Sequence, residues 1–139
     1  MPATGGQPER MTWGGGYMSR ESADGKWLYY SKLWPTSFWR IPLAKQANRA
    51  RATEVIPEVP SKAGATWALG KSDLFYYPST EQPTVRFPSI RAFGLTSGKV
   101  RDIDVGEVRL NRGLSLSADQ RWLLHSRADR VLKLIMVAQ

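Results

Sequence analysis

The 139-residue chain has no cysteine and a single histidine, His125. Without thiols there is neither a disulfide framework nor a cysteine-based zinc site, and cysteine usage leaves the redox compartment open. No apolar run approaches the roughly 20 residues a membrane-spanning helix needs. The start, Met1-Pro2-Ala3-Thr4-Gly5-Gly6, lacks the basic-then-apolar order of a secretory signal. If Met1 is the true start, the expected compartment is the cytoplasm; a fragment of a secreted or membrane-anchored protein would be extracytoplasmic or periplasmic. Helix signals are also scarce, because no window sustains apolar residues at a 3.6-residue period between caps. A mainly helical fold is thereby excluded.

Acidic residues are the minority charge, 12 against 20 basic, for a net charge of +8. Such an excess favours an anionic partner in general. Here the cations are spread over strands and loops alike, with the densest groups at Lys45, Arg49 and Arg51 and from Arg109 to Lys133. Nucleic-acid binding draws on concentrated phosphate contacts, so nucleic acid is not the expected partner. The 42% hydrophobic content fits a globular chain with a core.

What the sequence does contain is a repeat. Ser22-Ala23-Asp24-Gly25-Lys26-Trp27-Leu28-Tyr29-Tyr30-Ser31 returns loosely as 69–78 and closely as Ser117-Ala118-Asp119-Gln120-Arg121-Trp122-Leu123-Leu124-His125-Ser126. Trp27, Leu74 and Trp122 align, at separations of 47 and 48 residues. The second half of each unit repeats as well: Phe38-Trp39-Arg40-Ile41-Pro42-Leu43 aligns with 90–95 and with 133–138. Units in the forties built from short strands mark β-propeller blades. The Asp24-Gly25 pair is a hairpin signal, because Gly tolerates positive φ and Asp bonds its own backbone.

Strands are expected at 16–21, 26–32, 38–43 and 53–57, then 64–69, 73–78, 89–95 and 100–105, then 113–117, 121–126 and 131–138. The expected fold is all-β: a partial β-propeller of about three four-stranded antiparallel blades, with the first and last strands incomplete at the termini. Residues 1–12 would be the last strand of a preceding blade, 13–60 blade one, 61–107 blade two, and 108–139 blade three without its fourth strand.

The run from Gly5-Gly6 through Pro8 and Met11-Thr12, then Ser22-x-Asp24-Gly25-Lys26-Trp27-Leu28 and Phe38-Trp39-Arg40-Ile41-Pro42-Leu43, resembles the TolB-like, WD-repeat-like propeller repeat over nearly the whole chain. The resemblance implies a non-catalytic module that binds proteins or peptides within a larger bacterial protein, of which this chain would be the C-terminal fragment. It leaves open a sensor domain of a winged-helix regulator or protein kinase, and an accessory domain of a prolyl-oligopeptidase-like peptidase. Three blades are fewer than the four to eight that close a ring. Residues 7–12 of a second copy beside 131–138 would complete the last blade, and a homodimer would then complete a six-bladed ring.

No reading of the residues requires chemistry. His125 aligns with Tyr30 and Tyr77, as a packed strand residue. Gly113-Leu114-Ser115-Leu116-Ser117 is not a Gly-x-Ser-x-Gly nucleophile elbow. Asp24, Asp73 and Asp119 recur singly at turns, which serves turn geometry better than a metal, and Gly14-Gly15-Gly16 reads as a connection between units. No metal or cofactor is expected, and the chain is not expected to be an enzyme. Trp27 and Trp122 are expected in the core. Contacts to a partner are expected from aromatic and basic residues placed on connections: Trp34, Phe38, Arg49, Arg51, Arg127 and Arg130.

Overall fold

The recurrent Ser-x-Asp turn shows why the chain folds back where it does. In the first copy the Ser22 hydroxyl donates to Asp24 Oδ1 at 2.6 Å and accepts from the Trp27 amide at 2.9 Å, while the Lys26 amide donates to Asp24 Oδ1 at 3.1 Å. In the last copy the same three bonds join Ser117, Asp119, Arg121 and Trp122 at 2.6, 3.0 and 3.1 Å. Both turns place one residue at positive φ, Gly25 at 69° and Gln120 at 61°. Identical bonding at equivalent positions makes the repeat a structural one. The chain is seen as a computed structural model that describes residues 3–33, 35–43, 51–57, 59, 66–78, 87–128 and 133–138.

Ten strands and no helix occur among the described residues. Strands β1 (Ser19–Glu21), β2 (Trp27–Leu33), β3 (Thr36–Pro42) and β4 (Thr53–Ile56) form a four-stranded sheet in sequence order. Strands β5 (Trp67–Leu69), β6 (Asp73–Tyr76), β7 (Phe87–Gly94) and β8 (Val100–Leu116) continue as a second meander, and β9 (Leu123–Ala128) and β10 (Lys133–Ala138) extend it. Every neighbouring pair is antiparallel.

β8 is a single 17-residue strand where two separate strands, 100–105 and 113–117, were expected. Up to Val108 it pairs with β7, and from Arg109 onward with β9, with an irregular register between Leu110 and Leu114. Gly106 absorbs a bend at φ 70°, its amide donating to Asp104 Oδ1 at 2.8 Å. A bulge and a bend therefore transfer the chain from one ladder to the next without a turn.

Strand register also corrects the alignment of the middle unit. Leu28 pairs with Glu21, Leu74 with Leu69 and Leu123 with Leu116, so Leu74 is the counterpart of Leu28 and Leu123, not of Trp27. The middle hairpin closes at once through the Gly70 amide on the Asp73 carbonyl at 2.8 Å, with Lys71 and Ser72 alone in its loop. It is two residues shorter than its neighbours, and aligning on turn composition displaced the strand by one position. Asp73 then occupies the register position of Trp27, and Tyr76, not Tyr77, that of Tyr30 and His125.

The core lies between the sheets. Tyr29, Phe38 and Ile56 of the first meet Trp67, Leu74 and Tyr76 of the second, with Val59 in the same cluster. Phe38 stands edge-on to Trp67, ring centroids 5.4 Å apart at 72°. A second layer joins Ala68, Tyr77 and Ile90 to Leu114 and Leu123. Each fully covered side chain of this kind contributes about 1.5–3 kcal/mol. On the outer side of the first sheet the segment around 12–16 covers buried Tyr30, a Cβ on Gly16 falling 3.2 Å from its ring. The lack of side chains in the glycine run is what permits that approach.

The fold is thus all-β and built from antiparallel sheets, and these sheets stay open without closing into a ring. Residues 7–12 enter no ladder in the single chain, and β10 pairs only with β9 among the described residues.

Candidate functional site

A cleft of about 440 Å³ opens between the turn ends of the first two sheets. That volume lies within the range of small-ligand sites. The β1–β2 turn supplies Ser22, Ala23 and Asp24, the strands behind it supply Trp27, Tyr29 and Arg40, and the second sheet supplies Gly70, Lys71, Leu95 and Thr96 from its own turns. Four short segments far apart in sequence are brought together only because the two sheets stack.

Strand pairing sets the walls. Arg40 in β3 lies between Tyr29 of β2 and Thr53 of β4. Its guanidinium carbon sits 4.4 Å from the Trp27 ring centroid, within cation–π range. Arg40 Nε is buried and has no hydrogen-bond partner among the described residues. Lys71 stands exposed at the rim, its backbone amide held at 2.8 Å by Gln120 Oε1 of the third turn.

Asp24 is committed to its turn. The Ser22 hydroxyl first, and then the Lys26 amide, hold its carboxyl below the usual range, and Asp119 is lowered in the same way by Ser117 and then Arg121. The ammonium of Lys26 is 3.9 Å from Asp24 with both side chains exposed, a contact worth little. Asp24 stays ionised, and Arg40 and Lys71 outnumber it, so the cleft lining carries a net positive charge.

At the turn of the second sheet the third turn packs close. A Cβ on Gly70 would meet Leu116 Cδ1 at 3.2 Å, and Gln120 ties the two turns together. Asp73, in the register position of Trp27, pairs with Arg101 Nη2 at 3.1 Å.

Of the expected contact residues, Phe38 and Arg51 lie among those described with their side chains, and neither lines the cleft. Phe38 is not on a connection: it is a β3 residue, 1% exposed, in the inter-sheet core, because its alternation along the strand directs it at Trp67. Arg51 is exposed ahead of β4 and does not line the cleft. Trp34, Arg49 and Arg130 lie outside the described residues, as does the side chain of Arg127, whose backbone pairs with Leu110 and Leu134. Trp27 and Trp122, expected in the core, are only partly buried; Trp67 is the fully buried indole among the described residues, and Trp13 is 58% exposed.

His125 is buried in β9 opposite Leu114 and Met136, away from the cleft lining. Asp102 pairs with Arg91 at 3.2 Å, and no group of three metal-ligating side chains occurs among the described residues. Sequence reasoning passed over Arg40 and Lys71. The one signal for Arg40 was its place inside the repeated Phe-Trp-Arg-Ile strand, where a cation interrupts an apolar run.

No protein-family model, curated protein or solved structure matches the chain.

Proposed function

We propose that this chain is a protein- or peptide-binding module that performs no chemistry, assembled from consecutive propeller-type blades and belonging to a larger bacterial protein of the TolB-like kind its repeat resembles. One observation carries the reading: the cleft between the first two sheets combines an aromatic wall, Trp27 and Tyr29, with a charged group, Arg40, whose buried Nε has no hydrogen-bond partner among the described residues. Apolar surface with a few convergent polar groups is the composition of a binding site. The cleft is rimmed by hairpin turns, which are free to vary while the strands beneath keep their register. In the homodimeric form of the same proposal, a second copy places residues 7–12 beside β10 and the joined sheets form one ring.

Selection from a random decapeptide pool on the immobilised chain tests the proposal, with Thr96→Trp as the counter-variant. Thr96 is exposed in the turn after β7 and lines the cleft, so an indole there fills the space without entering the core. The expected result is a set of enriched peptides that bind the chain and lose at least tenfold in affinity to Thr96→Trp. A pool that yields no binder, or binders indifferent to Thr96→Trp, overturns it.

A further inference from the structure

We propose that the cleft recognises a carboxylate of its peptide partner, with Arg40 as the receptor and Lys71 as a second cation at the rim. The inference rests on the peptide-binding reading and names the chemistry of that same site.

The cations of the two stacked sheets differ in what they face. Lys26 lies near Asp24, Arg91 pairs with Asp102, and Arg101 pairs with Asp73. Arg40, like Lys32 near the Trp39 ring and Arg20 near the Trp67 ring, has no acidic partner among the described residues, and it is set apart by a buried Nε without a hydrogen bond, its guanidinium carbon 4.4 Å from the Trp27 centroid. A cation–π contact to an indole uses none of a guanidinium's N–H donors. Those donors form a fork, and the planar acceptor that fits a fork through two parallel hydrogen bonds is a carboxylate.

Position supports the same ligand. Arg40 is anchored in a central strand between Tyr29 and Thr53, so its placement costs a ligand little ordering. The single acid of the cleft, Asp24, already accepts from Ser22 and Lys26 and does not compete for the fork. Lys71 adds charge on the opposite wall, from a turn that Gln120 holds in place. An extended peptide entering from solvent meets Lys71 at the rim and Arg40 within.

Fluorescence anisotropy with the full chain tests the assignment. The probes are the tightest selected decapeptide, versions with each Asp or Glu changed to Asn or Gln, and a version with an amidated C-terminus. Neutralising one carboxylate is expected to weaken binding about tenfold or more. In Arg40→Gln that discrimination is expected to vanish, because the two losses are coupled. Amidation identifies a terminal carboxylate as the ligand, and a side-chain change identifies an acidic residue; either supports the proposal.

Lys71→Gln, at an exposed position, provides a second coupling should Arg40→Gln melt early, and is expected to reduce the discrimination severalfold. Arg121→Gln removes one exposed positive charge outside the cleft and is expected to change affinity less than twofold. Peptides that bind with no loss on any neutralisation overturn the carboxylate assignment while the peptide-binding reading survives. So does an equal loss in the original chain, Arg40→Gln and Lys71→Gln. A chain that selects no peptide overturns both.

Discussion

Tyr77 illustrates how a single side chain records the packing around it. It is 4% exposed, and its hydroxyl donates to the Gly113 carbonyl at 3.1 Å, tying the exit of β6 to β8. Burial pushes its phenol from 10.0 up to about 12. The fold therefore favours the protonated form: its contribution is complete below pH 10.0, where the unfolded phenol begins to ionise, and is lost as pH rises to about 12. Tyr77→Phe is expected to cost about 1 kcal/mol at neutral pH. In urea denaturation at pH 7 and 11, the gap between the original chain and the variant is expected to shrink by about 1 kcal/mol. A gap that stays constant contradicts the burial account. At this scale Phe38 was misplaced for a related reason: aromatic residues near a connection look like contacts until strand register shows which side they face.

Among the elements, turns were the most legible part of the sequence and strand continuity the least. The Ser-x-Asp pattern specifies its own hydrogen bonds, so the first and last hairpins could be located from composition alone. Their equivalence has a stability consequence. Gly25 holds φ 69°, where a Cβ is unfavourable, and Gly25→Ala is expected to destabilise by about 1 kcal/mol in equilibrium denaturation. No destabilisation would show that the turn relaxes to another conformation. The continuous β8 was not legible, because Gly106 and Gly113 resemble turn residues, yet one bends the strand and the other lies beside Ser126, whose Oγ would fall 2.8 Å from a Cβ there. The short middle turn was not legible either, since composition cannot report that two loop residues are missing.

For the whole molecule, the antiparallel meanders and their order were readable from the repeat. The cleft was not: it joins turn 22–24, residues of β2 and β3, and turns at 70–71 and 95–96, and no periodicity links those positions. Stacking of the first two sheets creates it, and at the next junction Leu116 and Gln120 pack against the turn at Gly70. The two junctions differ by substitution within one design, Trp27 in the first and Asp73 in the second.

The most direct test of this account is a 1H–15N NMR titration of the full chain with a selected peptide. The account predicts that the largest shifts fall on the Trp27 indole N–H, the Arg40 side chain, and the amides of Lys71 and Thr96. Shifts confined to other surfaces, or none at saturating peptide, would contradict it.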